Sequence, residues 1–333
     1  MKSKILIIFF PLFILAQSEN YLSDSVYKLS NSDNIIEFQK QIIKDRITAS
    51  NQALIFKDGE LVFNHIENSM IKGDQLITNE TIFPIWSMSK PITIVAMMIL
   101  HEKGLIDFND SVSKYIPAFS KPICENKNGT YPCKSQLKLI HLMNHRSGYV
   151  YYDRYYVDVI QSKNLEELMN KIAKQPLQIE PGSKFLYGIN QSILGRVIEV
   201  VSGKNFYDFL KDNIFDPLEM NKTKFHLTKD ERKQIPPLFL KNEVLEGFLP
   251  SGITSKGDIL TYYDDNLTHL GGEGLVSSMS DFFNFCKMLM NNGSFEGKQI
   301  ISPKSIELIT KKYSKGYPDE ENGFNNLLGF YYG

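Results

Sequence analysis

The chain has 333 residues, a formal net charge of −1, 42% hydrophobic residues and 23% charged residues. That balance leaves ample apolar material for a core and offers neither nucleic acid nor an anionic membrane a charged face to bind. With no repeat, low-complexity tract or long charge block to mark a linker, residues 19–333 read as a single domain.

Lys2 and Lys4 precede a short apolar stretch, Ile5 to Leu15, and Ala16-Gln17-Ser18 follows with small residues at the spacing signal peptidase prefers. Residues 1–18 therefore read as an export signal, and the protein as periplasmic or extracellular, or lumenal in a eukaryote. The stretch falls short of the roughly 20 apolar residues a stable membrane anchor needs. A roughly helical apolar period predicts a helix over Ile35 to Ile47. "QALIFKDGELVFNHI" supplies two β-rich runs around Asp58-Gly59, a dipeptide that tolerates the positive φ angles of tight hairpin turns. A nearly all-apolar helix follows from Pro91 to Gly104, to be buried on most faces.

"CENKNGTYPC" is rich in Asn, Gly and Pro and reads as turns rather than a helix or strand. Its Cys124 and Cys133 either pair in an oxidising compartment or are two separate loop thiols. Asn128-Gly129-Thr130 is a glycosylation sequon for a eukaryotic host. Further helices are expected over 137–144, 165–174, 191–202, 206–213 and 281–291, the last burying Cys286. The fold class is α+β: an antiparallel sheet (about 35–85 and 275–333) flanked by helices, with a large helical subdomain (about 100–270).

Ser87-Met88-Ser89-Lys90 places a serine one helical turn ahead of a lysine. The spacing alone is weak, because it recurs at Ser25-Lys28, Ser69-Lys72, Ser111-Lys114 and Ser135-Lys138. Context separates Ser87 from these: a β-like run, Phe83 to Trp86, leads into it and a buried helix follows, so its hydroxyl sits at a helix N-terminus that favours developing negative charge. A lysine partly desolvated there can take the serine proton as a neutral amine. The alternative is a plain N-cap serine beside a surface lysine.

Further stretches fall in the order of one family. "FPIWSMSKPITIVAMMILHEKGLIDFNDSVSKYIPAF", "LIHLMNHRSGY", "IEPGSKFLYGINQSILGRVIEVVSG" and "HLGGEGLVSSMSDFFNFCKMLMNNG" together resemble the penicillin-binding, β-lactamase-like serine hydrolases, nearest to their family VIII carboxylesterases and class C β-lactamases. The resemblance runs from about Ile35 to Tyr332. It implies an acylated nucleophile at Ser87, an activating base at Lys90 and a proton-shuttling phenol at Tyr187. It also implies Gly188 and Asn190 as substrate-binding positions, an ester or small amide as substrate, and no metal or cofactor.

Class C β-lactamases carry Tyr-x-Asn where this chain reads Tyr187-Gly188-Ile189, with Asn190 one position late. That favours an esterase-like member over a dedicated β-lactamase or D-amino-acid peptidase. Glu273 interrupts a turn that is often all glycine. His141 and His145 are four apart on the expected helix, but no further ligand marks a zinc site, and "GGEG" lacks the Gly-Lys-Ser/Thr of a nucleotide loop. Past Gly274 no Lys-Thr-Gly, His-x-Gly or Trp-Gly-Gly triplet occurs, and the sole tryptophan is Trp86. The expectation is a partial sequence with an incomplete sheet at its C-terminal end, lacking one of two oxyanion donors. The rival is a shortened, non-catalytic binding homologue.

Overall fold

The computed structural model describes residues 22–241, 244, 246–248 and 265–311. It opens with β1 (Val26–Tyr27), α1 (Ser32–Lys44), β2 (Asn51–Lys57) and β3 (Glu60–Glu67), the helix-then-hairpin order the sequence predicts. β3 is the middle strand of an antiparallel sheet ordered β1-β3-β2, with Val26 opposite Asn64 and Asn51 opposite Glu67. Asp58 and Gly59 turn the hairpin at φ 52° and 84°, the left-handed pair that a tight two-residue turn requires. α1 packs against β3.

β4 (Phe83–Pro84) leads through a 3₁₀ turn, Trp86–Met88, into α2 (Ser89–Glu102). The helix begins two residues before the expected Pro91. That proline falls in the first turn, where its missing N–H costs little. Every residue from Ile92 to Leu100 is buried, as the all-apolar pattern demands.

"CENKNGTYPC" departs from its reading as turns. It folds as a hairpin, β5 (Ile123–Asn126) and β6 (Gly129–Pro132), with only Lys127-Asn128 in the turn. Cys124 and Cys133 form a disulfide, and β5 is further tied to Leu177 by a parallel bridge. The cross-link and this docking override the local turn preference, because turn residues tolerate extended backbone once partners fix it.

The helical body comprises α3 (Leu139–Met143), α4 (Tyr155–Ile160), α5 (Leu165–Ile172), α6 (Asn190–Ser202) and α7 (Phe206–Leu210), the last continuing as a wider turn to Phe215. α8 (Lys229–Gln234) and the hairpin of β7 (Phe239–Lys241) and β8 (Glu246–Phe248) follow. β9 (Val276–Ser277), α9 (Met279–Met290), the hairpin of β10 (Ser294–Phe295) and β11 (Lys298–Gln299), and α10 (Pro303–Thr310) complete the described elements. Cys286 lies half-buried on α9. The architecture is α+β, with one core in which α2 packs on α6 and buries Ile92, Val95, Met98, Ile193, Val197 and Phe206. Each such side chain contributes about 1.5–3 kcal/mol of burial.

Two contacts position the site. β4 pairs antiparallel with β9, Phe83 opposite Ser277, and the Ile85 N–H donates to Leu275 O at 3.0 Å. The turn at 270–275 is thereby clamped to the head of α2. The strand expected over "NNLLGFYYG" lies outside the described residues, as does the leader at 1–18. Among the described residues no helix is long and apolar enough to cross a membrane.

Candidate active site

Ser87 is exposed within the 3₁₀ turn that feeds α2. The chain makes this corner by holding Trp86 at φ 40°, a left-handed conformation that costs a bulky residue of order 1–3 kcal/mol and gathers at functional sites. The corner points the Ser87 hydroxyl outward while Lys90, one turn on, is 1% exposed.

Lys90 Nζ donates to Ser87 Oγ at 3.0 Å and to the Gly272 carbonyl at 2.7 Å. Tyr187 OH lies 2.9 Å from Ser87 Oγ, and Lys90 Nζ sits 4.8 Å from the centre of the Tyr187 ring, within cation–π range. One hydroxyl is thus held between an amine and a phenol, each within hydrogen-bond reach. The three residues expected from the motifs converge, and the spacings at Ser25, Ser69, Ser111 and Ser135 do not join them. Thr93 Oγ1 donates to Gly271 O at 2.7 Å. "GGEG" therefore turns carbonyls toward α2, whereas a phosphate loop would present N–H groups.

Beneath Tyr187 lies His145, its ring stacked at 4.5 Å and 16° from parallel. Burial, then the charge of Lys90, holds the His145 imidazole down to about 3, so it is neutral near pH 7. Its Nδ1 is 3.3 Å from the Gly188 N–H and 2.8 Å from Asn190 Nδ2. Two donors on Nδ1 place the ring proton on Nε2, where the terminal amide of Gln191 lies 3.2 Å away and can accept once its oxygen faces the ring. Asn190 also accepts from Ser147 Oγ.

Gly188 and Asn190, the positions expected to bind substrate, are both buried, and the Asn190 amide meets His145 and Ser147 beneath Tyr187. Gly188 is required because a Cβ there would lie 2.0 Å from the Tyr149 carbonyl oxygen. His141 and His145 do not share a helix either: α3 stops at Met143 and His145 has φ 53°. Among the described residues, the only His, Cys, Asp and Glu group close enough to share a metal is Cys124, Cys133 and Glu180, whose two sulfurs are bonded to each other. His269, before the glycine turn, stacks on Phe225 and pairs with His226 at 2.8 Å.

Sequence reasoning missed one more group. Glu273 is 7% exposed, and its Oε2 accepts from Tyr151 OH at 2.9 Å and Tyr156 OH at 3.3 Å. Burial pushes its carboxyl upward, opposed by the Tyr151 hydrogen bond and then by Lys90. The tyrosines at 149, 151, 152, 155 and 156 were the available signal, a phenol density that a simple apolar helix does not need.

The β-lactamase family model matches residues 39–332. An uncharacterised protein of Mycobacterium tuberculosis (strain CDC 1551 / Oshkosh) is 23% identical over 268 residues, 75% of this chain and 64% of that protein. A protein of Escherichia coli K12, provisionally named a D-alanyl-D-alanine carboxypeptidase, is 24% identical over 279 residues, 77% of this chain and 63% of that protein. The chain thus spans a little under two thirds of the length of these curated relatives. The solved structure of EstCE1, a hydrolase with promiscuous acyltransferase activity, has a TM-score of 0.65 at 21% identity over 84% of this chain and 76% of that one. A likeness at that identity speaks for the fold.

Proposed function

The chain belongs to the β-lactamase family, and on that footing we propose that it is an exported serine hydrolase cleaving carboxylic esters or small amides through an acyl-enzyme on Ser87. The observation that carries the reading is the Ser87 hydroxyl held between Lys90 Nζ at 3.0 Å and Tyr187 OH at 2.9 Å.

Lys90 takes the Ser87 proton as Oγ bonds to the substrate carbonyl carbon, and the Ser87 N–H at the head of α2 meets the developing oxyanion. The tetrahedral intermediate collapses, and Tyr187 passes a proton to the departing alcohol or amine. Water then attacks the acyl carbon, losing its proton to the same pair, and Ser87 Oγ leaves with a proton restored. Esters are favoured over acylamide-bearing β-lactams because the Asn190 amide is engaged beneath the site. Export is supported by the Lys2, Lys4 and Ile5 to Leu15 pattern and by the Cys124–Cys133 disulfide, which suits an oxidising compartment.

The test compares the wild type with Ser87→Ala on a short-chain p-nitrophenyl ester and a chromogenic cephalosporin, alongside labelling by a serine-directed phosphonate. Ester turnover and labelling lost together in Ser87→Ala are expected. Turnover indifferent to the substitution overturns the nucleophile. Fast cephalosporin cleavage with negligible ester cleavage moves the substrate to β-lactams, and a folded chain that neither turns over nor labels belongs to a binding protein.

A further inference from the structure

We propose that Glu273 is a positioning residue: it braces the glycine turn against α4 through the phenols of Tyr151 and Tyr156, and so fixes the carbonyl that holds Lys90 on Ser87. The inference rests on the acyl-enzyme reading and gives it a support that the three-residue motif does not contain.

The turn Leu270-Gly271-Gly272-Glu273-Gly274-Leu275 carries one side chain between its two leucines. Space demands two of the glycines. A Cβ at Gly271 would lie 2.5 Å from the Gln191 carbonyl oxygen, and one at Gly274 would lie 2.9 Å from the Phe225 ring. Backbone so bare is loose unless something holds it, because glycine gives up more conformational freedom on folding than any other residue. Yet its Gly272 carbonyl stands 2.7 Å from Lys90 Nζ, the amine that reaches Ser87 Oγ at 3.0 Å.

One set of holds comes from α2: Thr93 Oγ1 donates to Gly271 O at 2.7 Å, and the Leu275 N–H donates to Ser89 Oγ at 3.3 Å. The other comes through Glu273, whose Oε2 accepts from Tyr151 OH at 2.9 Å and Tyr156 OH at 3.3 Å. These phenols belong to a packed panel. Tyr151 stands edge-on to Tyr155 with ring centroids 5.3 Å apart, and Tyr155 meets Tyr156 at 5.1 Å. Tyr155 is buried, and its hydroxyl lies 3.3 Å from Ser192 Oγ on α6, the helix whose head carries Asn190. Glu273 thus ties the turn to a panel that is itself anchored on the floor of the site.

An apolar side chain would be cheaper to bury at this position, since a carboxyl group sealed from water is costly unless hydrogen-bonded. It could accept from neither phenol. The carboxyl group makes sense as a tether, and the tether has a catalytic use: a general base works only where it is held in line with the proton it takes. A role confined to packing would change how much enzyme folds and leave the rate per reactive serine alone.

The experiment has two readouts on the full chain. In the first, turnover of a p-nitrophenyl ester is expressed per serine titrated by the phosphonate, in the wild type, Glu273→Ala, Glu273→Gln and the double variant Tyr151→Phe/Tyr156→Phe. In Glu273→Ala and in the double variant kcat is expected to fall by about tenfold or more, with KM little changed. Glu273→Gln, which keeps an acceptor for the phenols, is expected to retain most of the rate. A kcat unchanged in folded Glu273→Ala overturns the inference, and so does a Gln variant no better than Ala.

The second readout does not depend on activity. The Gly274 N–H donates to Leu270 O at 2.9 Å inside the turn, and its hydrogen exchange reports how firmly the turn is held. Exchange is expected to speed up about tenfold in Glu273→Ala and in the double variant, with the amides of α1 unmoved. Exchange at Gly274 unchanged in both variants overturns the brace, whatever happens to turnover. Faster exchange in a protein whose Ser87 neither labels nor turns over ester overturns the acyl-enzyme reading and leaves the brace intact.

Discussion

Tyr187 lies flat on His145, ring centroids 4.5 Å apart and planes 16° from parallel. The phenol proposed to shuttle protons is therefore held from below by an imidazole that stays neutral near pH 7, and Lys90 Nζ lies 4.8 Å from the centre of its ring. Replacing the hydroxyl and keeping the ring separates the two functions of Tyr187. Tyr187→Phe is expected to retain the stack and the fold, read by circular dichroism, and to lower kcat on a p-nitrophenyl ester by about 10²- to 10⁴-fold.

Asn190 is predicted to matter for stability before it matters for substrate. Asn190→Leu removes an acceptor from Ser147 and a donor from His145 in a region closed to water. The expected loss is about 1–3 kcal/mol, measured by urea denaturation. A variant of unchanged stability with a raised KM would return Asn190 to the substrate pocket.

The difference between Asn190 and Ser87 shows where legibility ended. Ser87 and Lys90 are one turn apart where a 3₁₀ turn feeds a helix whose apolar run announces it, so context set that spacing apart from its look-alikes, whereas Tyr187 was reached only through the resemblance. The floor of the site was not local: Ser147, His145 and Asn190 meet only because the segment after α3 packs against the head of α6. Glu273 acquired its partners from α4 and the segment just before it, and α4 itself passed unnoticed because Tyr155 to Ile160 is too short to show a period. The β5–β6 hairpin was misread because turn propensity was weighed without its cross-link and its docking on Leu177.

Acid should weaken the fold through its buried imidazole. His145 is held down to about 3 against an ordinary value near 6.5. Its contribution is complete above pH 6.5 and is lost as the pH falls toward 3, because the unfolded chain binds a proton that the folded one refuses. Glu273, Glu199 and Asp281, each pushed upward by burial, act with opposite sign, favouring the fold at lower pH. The comparison that isolates His145 is with His145→Phe, which keeps a ring under Tyr187. The stability gap between wild type and variant should narrow by about 1.4 kcal/mol per pH unit as the pH falls from 6 to 4, read from urea midpoints at each pH.

The disulfide gives a separate prediction. Cys124 and Cys133 are nine residues apart, and closing so short a loop restricts the unfolded chain by about 2–3 kcal/mol. The double variant Cys124→Ser/Cys133→Ser should lose stability of that order in a thermal melt, while Ser87 labelling at 20 °C survives, because none of the hydrogen bonds of Ser87, Lys90 and Tyr187 described above involves the hairpin.

The carbonyl of Gly272 reaches Lys90 across 182 residues of chain, Thr93 meets Gly271 across 178, and Ser87 meets Tyr187 across 100. Contacts so distant in sequence form only after large loops have closed, and such closures slow folding. α2 can wind early on its own apolar face, but at that stage Lys90 has no carbonyl to hold it and Ser87 no phenol. Reactivity toward a phosphonate is then a clock for the last stage of folding: a refolding chain regains its helical signal first and its reactive serine afterwards.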